Sequence, residues 1–311
     1  MHFRAKAVIL LTLLAVGGLI LFWLPRKPVK GPIKVGSKSF TEQLILGEIT
    51  RLALEDAGFG VIDRLGLAGS MTTRQALENG EIDLYWEYTG TAWLVSLGHQ
   101  KIDGDGENLY QRVKAEDAIH GLIWLPYARF NSSYALMMSR ALSQRLGITT
   151  LGELGDYVKG ERAPLTFATS HEFNARPDGL PGLEKSYGFQ FDRRRVKIMD
   201  PGLTYQALQD GQVDVAMGFS TDGRIEAFDL VVLQDDRGFF PVYNPAPVIR
   251  KDVLERHGEV GEILSQVAGK LDTEAIRELN FAVDGRGLRP ESVALNWLKQ
   301  QRLVKRFTID D

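Results

Sequence analysis

Apolar residues recur along this 311-residue chain in two rhythms. Residues 25–32 read as a Pro- and Lys-rich linker, and 33–36 as a short strand. Ser39 with Glu42 three positions on is a capping-box pattern, and Ile45, Ile49 and Leu52 follow at helical spacing until Gly58 stops the run. A second strand is predicted near 61–67, a helix from about Thr72, and a third strand over 82–85. Strands alternating with helices predict parallel sheet with helices packed on its faces.

The pattern then repeats. RQALENGEIDLYWEYTG, from Arg74, aligns without a gap on YQALQDGQVDVAMGFSTDG, from Tyr205. Gln75, Ala76, Leu77, Gly80 and Asp83 fall on Gln206, Ala207, Leu208, Gly211 and Asp214, and Tyr88 falls on Phe219. Each copy reads as a helix, a glycine stop, a buried strand and an aromatic where the strand ends. Ligands of open parallel sheets bind beyond the carboxyl ends of the strands. Two facing sheets of this kind would therefore set Tyr88 and Phe219 on opposite walls of one cleft. The expected division is a first lobe over 33–131, a second over 132–238, and a return to the first over 239–311. Helical patterns after Asp252, Thr273 and Pro290 would pack on that first lobe.

The N-terminus sets the compartment. Arg4 and Lys6 precede AVILLTLLAVGGLILFWL, residues 7–24, a run without charge. A spanning helix needs about 20 apolar residues, so this is a short span or a signal-peptide core. Pro25-Arg26-Lys27-Pro28 offers no small-x-small cleavage site. Cutting after Ala15-Val16-Gly17 would leave an apolar stub. An uncleaved anchor over 1–32 is favoured, with the rest of the chain exported to the periplasm or the outer face of the inner membrane.

Composition narrows the function. Hydrophobic content of 44% and charged content of 25% belong to a folded globular chain, and a net charge of −3 argues against a nucleic-acid binder. The absence of cysteine excludes disulfides, thiolate metal sites and a cysteine nucleophile. GPIKVGSKS has Ser37 where a phosphate loop needs lysine. His171-Glu172 lacks the second histidine of a metalloprotease helix, and no G-x-S-x-G elbow occurs. No catalytic residue, metal ligand or cofactor is assigned.

The residues expected at strand ends and turns are chemically uneven. Tyr88, Tyr134, Phe219 and Tyr243 are aromatic. Lys38, Thr91 and Arg176 are donors. Ring faces attract cations, above all quaternary ammonium groups, whereas Lys, Arg and Thr suit a carboxylate, with Arg able to engage both oxygens. Singly, most of these residues have a packing explanation: Arg176, for example, could cap its loop through Asp178. Together they describe a site for a small zwitterion with a methylated cationic head.

KVGSKSFTEQLILGEI, DLYWEYTGTAW, FNSSYALMM, EFNARPDGLPGL, VDVAMGFSTDGRI and LQDDRGFFPVYN resemble, in order, segments of the substrate-binding proteins of osmoprotectant ABC importers. The resemblance runs from about residue 33 to the C-terminus. It implies an α/β, bilobal periplasmic-binding-protein fold of type II with a hinge, following the N-terminal hydrophobic segment. It implies glycine betaine, proline betaine or choline as ligand, permease subunits as partners, and no enzymatic activity. The aromatic cage carries over to Tyr88, Tyr134, Phe219 and Tyr243, and carboxylate contacts to Lys38, Thr91 and Arg176. Ser132 matches a cleft position that similar proteins can fill with Asp, where a backbone contact is expected. Phe219 replaces the usual Tyr, which keeps the π face and loses a hydroxyl. Retention of Lys38 and Arg176 favours a betaine over choline. The alternatives are an anchored sensor with the same fold and a binder of ordinary amino acids.

Overall fold

Two five-stranded sheets organise the chain. The computed structural model describes residues 30–102, 104–160 and 164–305. The hydrophobic segment over 7–24 lies outside the described residues. β1 (Lys30–Lys38) begins inside the stretch expected to be linker, and is followed by α1 (Thr41–Asp56), β2 (Phe59–Leu67), α2 (Gly69–Glu78), β3 (Leu84–Tyr88) and β4 (Leu122–Trp124). The second sheet holds β5 (Tyr134–Ser139), β6 (Phe167–Thr169), β7 (Val196–Ile198), β8 (Val215–Phe219) and β9 (Leu230–Val232), with α3 (Pro201–Gln209) leading into β8. β10 (Pro245–Arg250) then returns to the first sheet, and α4 (Thr273–Asp284) and α5 (Pro290–Gln300) close the chain. The strand orders are β2-β1-β3-β10-β4 and β7-β6-β8-β5-β9.

The sheets are mixed, not all parallel. β10 runs antiparallel to β3 and β4, and β5 runs antiparallel to β8 and β9. Each reversed strand is the first one the chain enters after crossing between sheets, through residues 125–133 and back through 233–244. The two crossings lie side by side. Ser132 N–H donates to the Tyr243 carbonyl, Tyr243 N–H to Asn131 Oδ1, and Asn244 Nδ2 to the Phe130 carbonyl.

The repeat is structural. Helices α2 and α3 each end at a glycine with positive φ, Gly80 at 72° and Gly211 at 66°, a conformation that costs glycine least. Asp83 Oδ2 accepts from Lys34 N–H at 2.8 Å, and Asp214 Oδ2 accepts from Thr166 N–H at the same distance. Each aspartate thus stitches its strand to the neighbouring one. Asp83→Ala is expected to destabilise the protein by about 1–3 kcal/mol in denaturant unfolding, because it strands a part-buried backbone donor.

The two C-terminal helices pack against α1. Val293, Ala294, Trp297 and Leu298 of α5 and Ile276 and Leu279 of α4 share a core with Ile45, Leu46 and Ile49 of α1. The capping box expected at Ser39 is not formed. Phe40 is the N-cap of α1, without a side-chain hydrogen bond. Glu42 instead turns inward and is buried, with its oxygens engaged elsewhere.

Candidate functional site

Five rings meet where the two sheets face each other. Tyr88 is the last residue of β3, Phe219 the last of β8, and Tyr134 the first of β5, directly opposite Phe219 in the antiparallel register. Tyr243 lies on the returning crossing, just before β10. Phe40, between β1 and α1, bridges the walls: its ring centroid is 6.2 Å from that of Tyr88 and 5.0 Å from that of Phe219. Phe219 stacks on Tyr134 at 5.4 Å, and Tyr134 meets Tyr243 edge-on at 5.7 Å. Tyr88, Tyr134 and Tyr243 are buried, and Phe219 partly so.

Thr89–Thr91 is a short helical turn. A side chain at Gly90 would bring Cβ to 2.7 Å from Tyr243 Cδ1 and Cε1. Glycine there makes the seat for the Tyr243 ring. Gly90→Ala is expected to weaken ligand binding severalfold and to lower the melting temperature, because overpacking in a well-filled region costs about 1–3 kcal/mol.

The donors sit beside these rings, and each is already partnered. Lys38 Nζ donates to Glu87 Oε1 at 2.6 Å and lies 5.1 Å from the Tyr88 ring centroid. Tyr85 donates to the other oxygen of Glu87. Arg176 Nε donates to Asp178 Oδ1 at 2.8 Å, Nη2 reaches Asp178 Oδ2, and Nη1 donates to Glu172 Oε1 at 2.9 Å. The loop-capping role of Asp178 is therefore real. Its Oδ2 also accepts from the Tyr243 hydroxyl. The two weakest bonds of the guanidinium, 3.3 Å and 3.4 Å, go to Thr91 Oγ1 across the interface. Its carbon lies 5.4 Å from the Tyr134 ring centroid.

Glu172 bonds to Arg176 and also lies in the field of Lys38. Burial opposes its ionisation, but Lys38 and then Arg176 outweigh that, so its carboxyl titrates below the ordinary value. Ser70 of α2 also donates to it at 2.7 Å, tying the walls together. Glu42 forms a second tie. Its Oε1 accepts from the Tyr88 hydroxyl at 2.7 Å, and its Oε2 from Thr221 at 2.6 Å and from Asn280 Nδ2 at 3.2 Å. Burial raises the Glu42 pKa more than these bonds lower it. Burial, with Glu42 second, likewise pushes the Tyr88 hydroxyl well above its usual value. A cleft of about 530 Å³ opens beside this group, lined in part by Phe40, Glu42, Ser132 and Phe219. The Ser132 hydroxyl lies 3.1 Å from Thr221 Oγ1, and its backbone N–H is taken by Tyr243.

All eight residues singled out in the sequence thus fall in one region between the sheets. Sequence reasoning took Glu42 for a helix cap and Asp178 for the loop partner of Arg176, and gave no role to Phe40, Glu87 or Glu172. Phe40 and Glu42 stand in SKSFTEQ, directly after the first strand, and chain position alone could have marked them. Glu87 and Glu172 had no such signal, since a surface Glu has the same letter as one that neutralises a buried cation.

The architecture and the sequence agree with known proteins. The model of the substrate-binding domain of ABC-type glycine betaine transport systems matches residues 31–300. A glycine-betaine-binding protein of Pseudomonas aeruginosa is 38% identical over 277 residues, covering 88% of either chain. The glycine betaine-binding protein YehZ of Escherichia coli is 33% identical over 281 residues, covering 88% of this chain and 92% of its own. A crystal structure described as a glycine betaine/carnitine/choline ABC transporter superposes with a TM-score of 0.69 at 29% identity, over 87% of this chain and 99% of that one. The chain belongs to the family of substrate-binding domains of ABC-type glycine betaine transport systems.

Proposed function

We propose that this protein captures a betaine between two lobes, with the methylated cationic head among Tyr88, Tyr134, Phe219 and Tyr243. The carboxylate end meets Lys38, Thr91 and Arg176. The lobes divide at 131/132 and 238/239, within the two crossings, which serve as the hinge. As with ABC-importer binding proteins generally, the loaded protein works outside the cytoplasm and hands its ligand to a permease. The segment over 7–24 would hold it at the outer face of the inner membrane.

The ring belt carries this reading. Tyr134 and Phe219 come from one sheet and Tyr88 from the other, and Phe40 touches both sets. A packing role alone does not explain why buried aromatic side chains stand next to two buried cations and four carboxylates, Glu42, Glu87, Glu172 and Asp178. Ring faces and nearby carboxylates both favour a positive head. Thr91 occupies the weakest two bonds of Arg176, so a ligand carboxylate could take them over at little cost. Lys38 retains N–H donors beyond the one given to Glu87.

Titration calorimetry tests the proposal. Glycine betaine and proline betaine should bind, with glycine and proline at least about tenfold weaker, since an ammonium with N–H groups loses hydrogen bonds to water in a cage of rings. Equal affinity for glycine and glycine betaine would contradict it.

A further inference from the structure

We propose that residues 220–224 form a clasp that seats the second lobe on α4 of the first. Within it Gly223 sets ligand affinity through lobe closure, without touching the ligand. This rests on the betaine reading with its two lobes, and names the residues that regulate closure of that site.

The clasp follows directly from the cage. Phe219 ends β8, and the residues after it run along α4, which shares its core with α1 in the first lobe. Arg277 Nη2 donates to the Ser220 carbonyl at 3.4 Å, and Asn280 Nδ2 to the Thr221 carbonyl at 2.9 Å. Gly223 lies against Phe281. Arg224 Nη2 is 3.4 Å from Asp284 Oδ2 across the same junction. Positions 277, 280, 281 and 284 recur at the three- and four-residue spacing of a single helix face. One stripe of α4 therefore meets one loop of the other lobe. These contacts are separate from the ties through Glu172 and Arg176.

Gly223 is the informative member. Its backbone is right-handed helical, with φ −67° and ψ −22°, a conformation open to any residue. Local geometry does not call for glycine. The contact does: a Cβ at Gly223 would fall within 3.0 Å of Phe281 N, Cα and Cβ, all on the other lobe. Two of those atoms are helix backbone, which cannot turn aside as the end of a side chain can. In the second lobe taken alone, alanine would be the more stable residue, because it restricts the unfolded chain. The glycine thus serves the approach of α4 and not the local fold. A ligand held between two lobes binds only the closed arrangement, so a residue that disfavours closure lowers apparent affinity by one factor for every ligand.

Calorimetry and thermal melting on the full chain test this, with glycine betaine and choline as probes. Gly223→Ala should weaken both by about tenfold or more and in equal proportion, because overpacking against helix backbone opposes closure. Its melting temperature without ligand should stay the same or rise, since open lobes leave room for the methyl group. Asp284→Asn removes attraction instead of adding bulk, and should weaken both ligands by one smaller factor, about threefold. Unchanged affinity in both variants would overturn the inference and leave the betaine reading intact. So would a loss that alters the ratio of the two ligands, or one that comes with a lower ligand-free melting temperature. If the unaltered protein binds neither probe, the betaine reading itself fails.

Discussion

Tyr88→Ala weakens glycine betaine binding by about tenfold or more, the loss of a desolvated cation–π contact worth ~1.4 kcal/mol or above. The ring closes one wall of the cage, is 5% exposed, and is fixed by its hydroxyl bond to Glu42. Truncation therefore removes the π face and also frees Glu42 Oε1 beside the cleft. Tyr88→Phe separates the two effects. It keeps the face and loses only the bond, so its affinity should stay within severalfold of the unaltered protein. Calorimetry on both variants reads the difference. Equal losses would assign the effect to the hydroxyl and not to the ring.

Arg176→Ala divides the ligands. Glycine betaine affinity is expected to fall at least about thirtyfold, because truncating a buried, hydrogen-bonded charge costs about 2 kcal/mol or more. Choline, with no carboxylate, should bind as before or slightly better. Without the guanidinium, Asp178 loses its ion-pair partner and Glu172 keeps only the influence of Lys38, so both attract a cation beside the rings. Equal losses for the two ligands would refute the carboxylate role of Arg176.

Much of this arrangement is legible in the chain, for local reasons. The repeat shows because Gly80 and Gly211 must adopt positive φ and because Asp83 and Asp214 each bind a backbone N–H of the adjoining strand. Such positions admit few residue types, so they recur as letters. Strand direction leaves no such mark. A buried strand reads alike in either sense, and the reversal of β5 and β10 follows from the path between the sheets. Ser39 and Glu42 fit the capping pattern locally, but Tyr88, Thr221 and Asn280 offer Glu42 three donors from distant segments. Tertiary contacts outweigh the local motif. The burial of Tyr88 is not legible locally, because its cover, Phe40 and Glu42, lies more than forty residues upstream.

Whether two walls of rings surround a methylated cation is answered most directly by a crystal structure with glycine betaine bound. The ligand nitrogen should lie within about 6 Å of the ring centroids of Tyr88, Tyr134, Phe219 and Tyr243, with its carboxylate on Arg176 and Lys38. A ligand seated elsewhere, or one whose nitrogen faces rings from a single sheet only, would contradict the account.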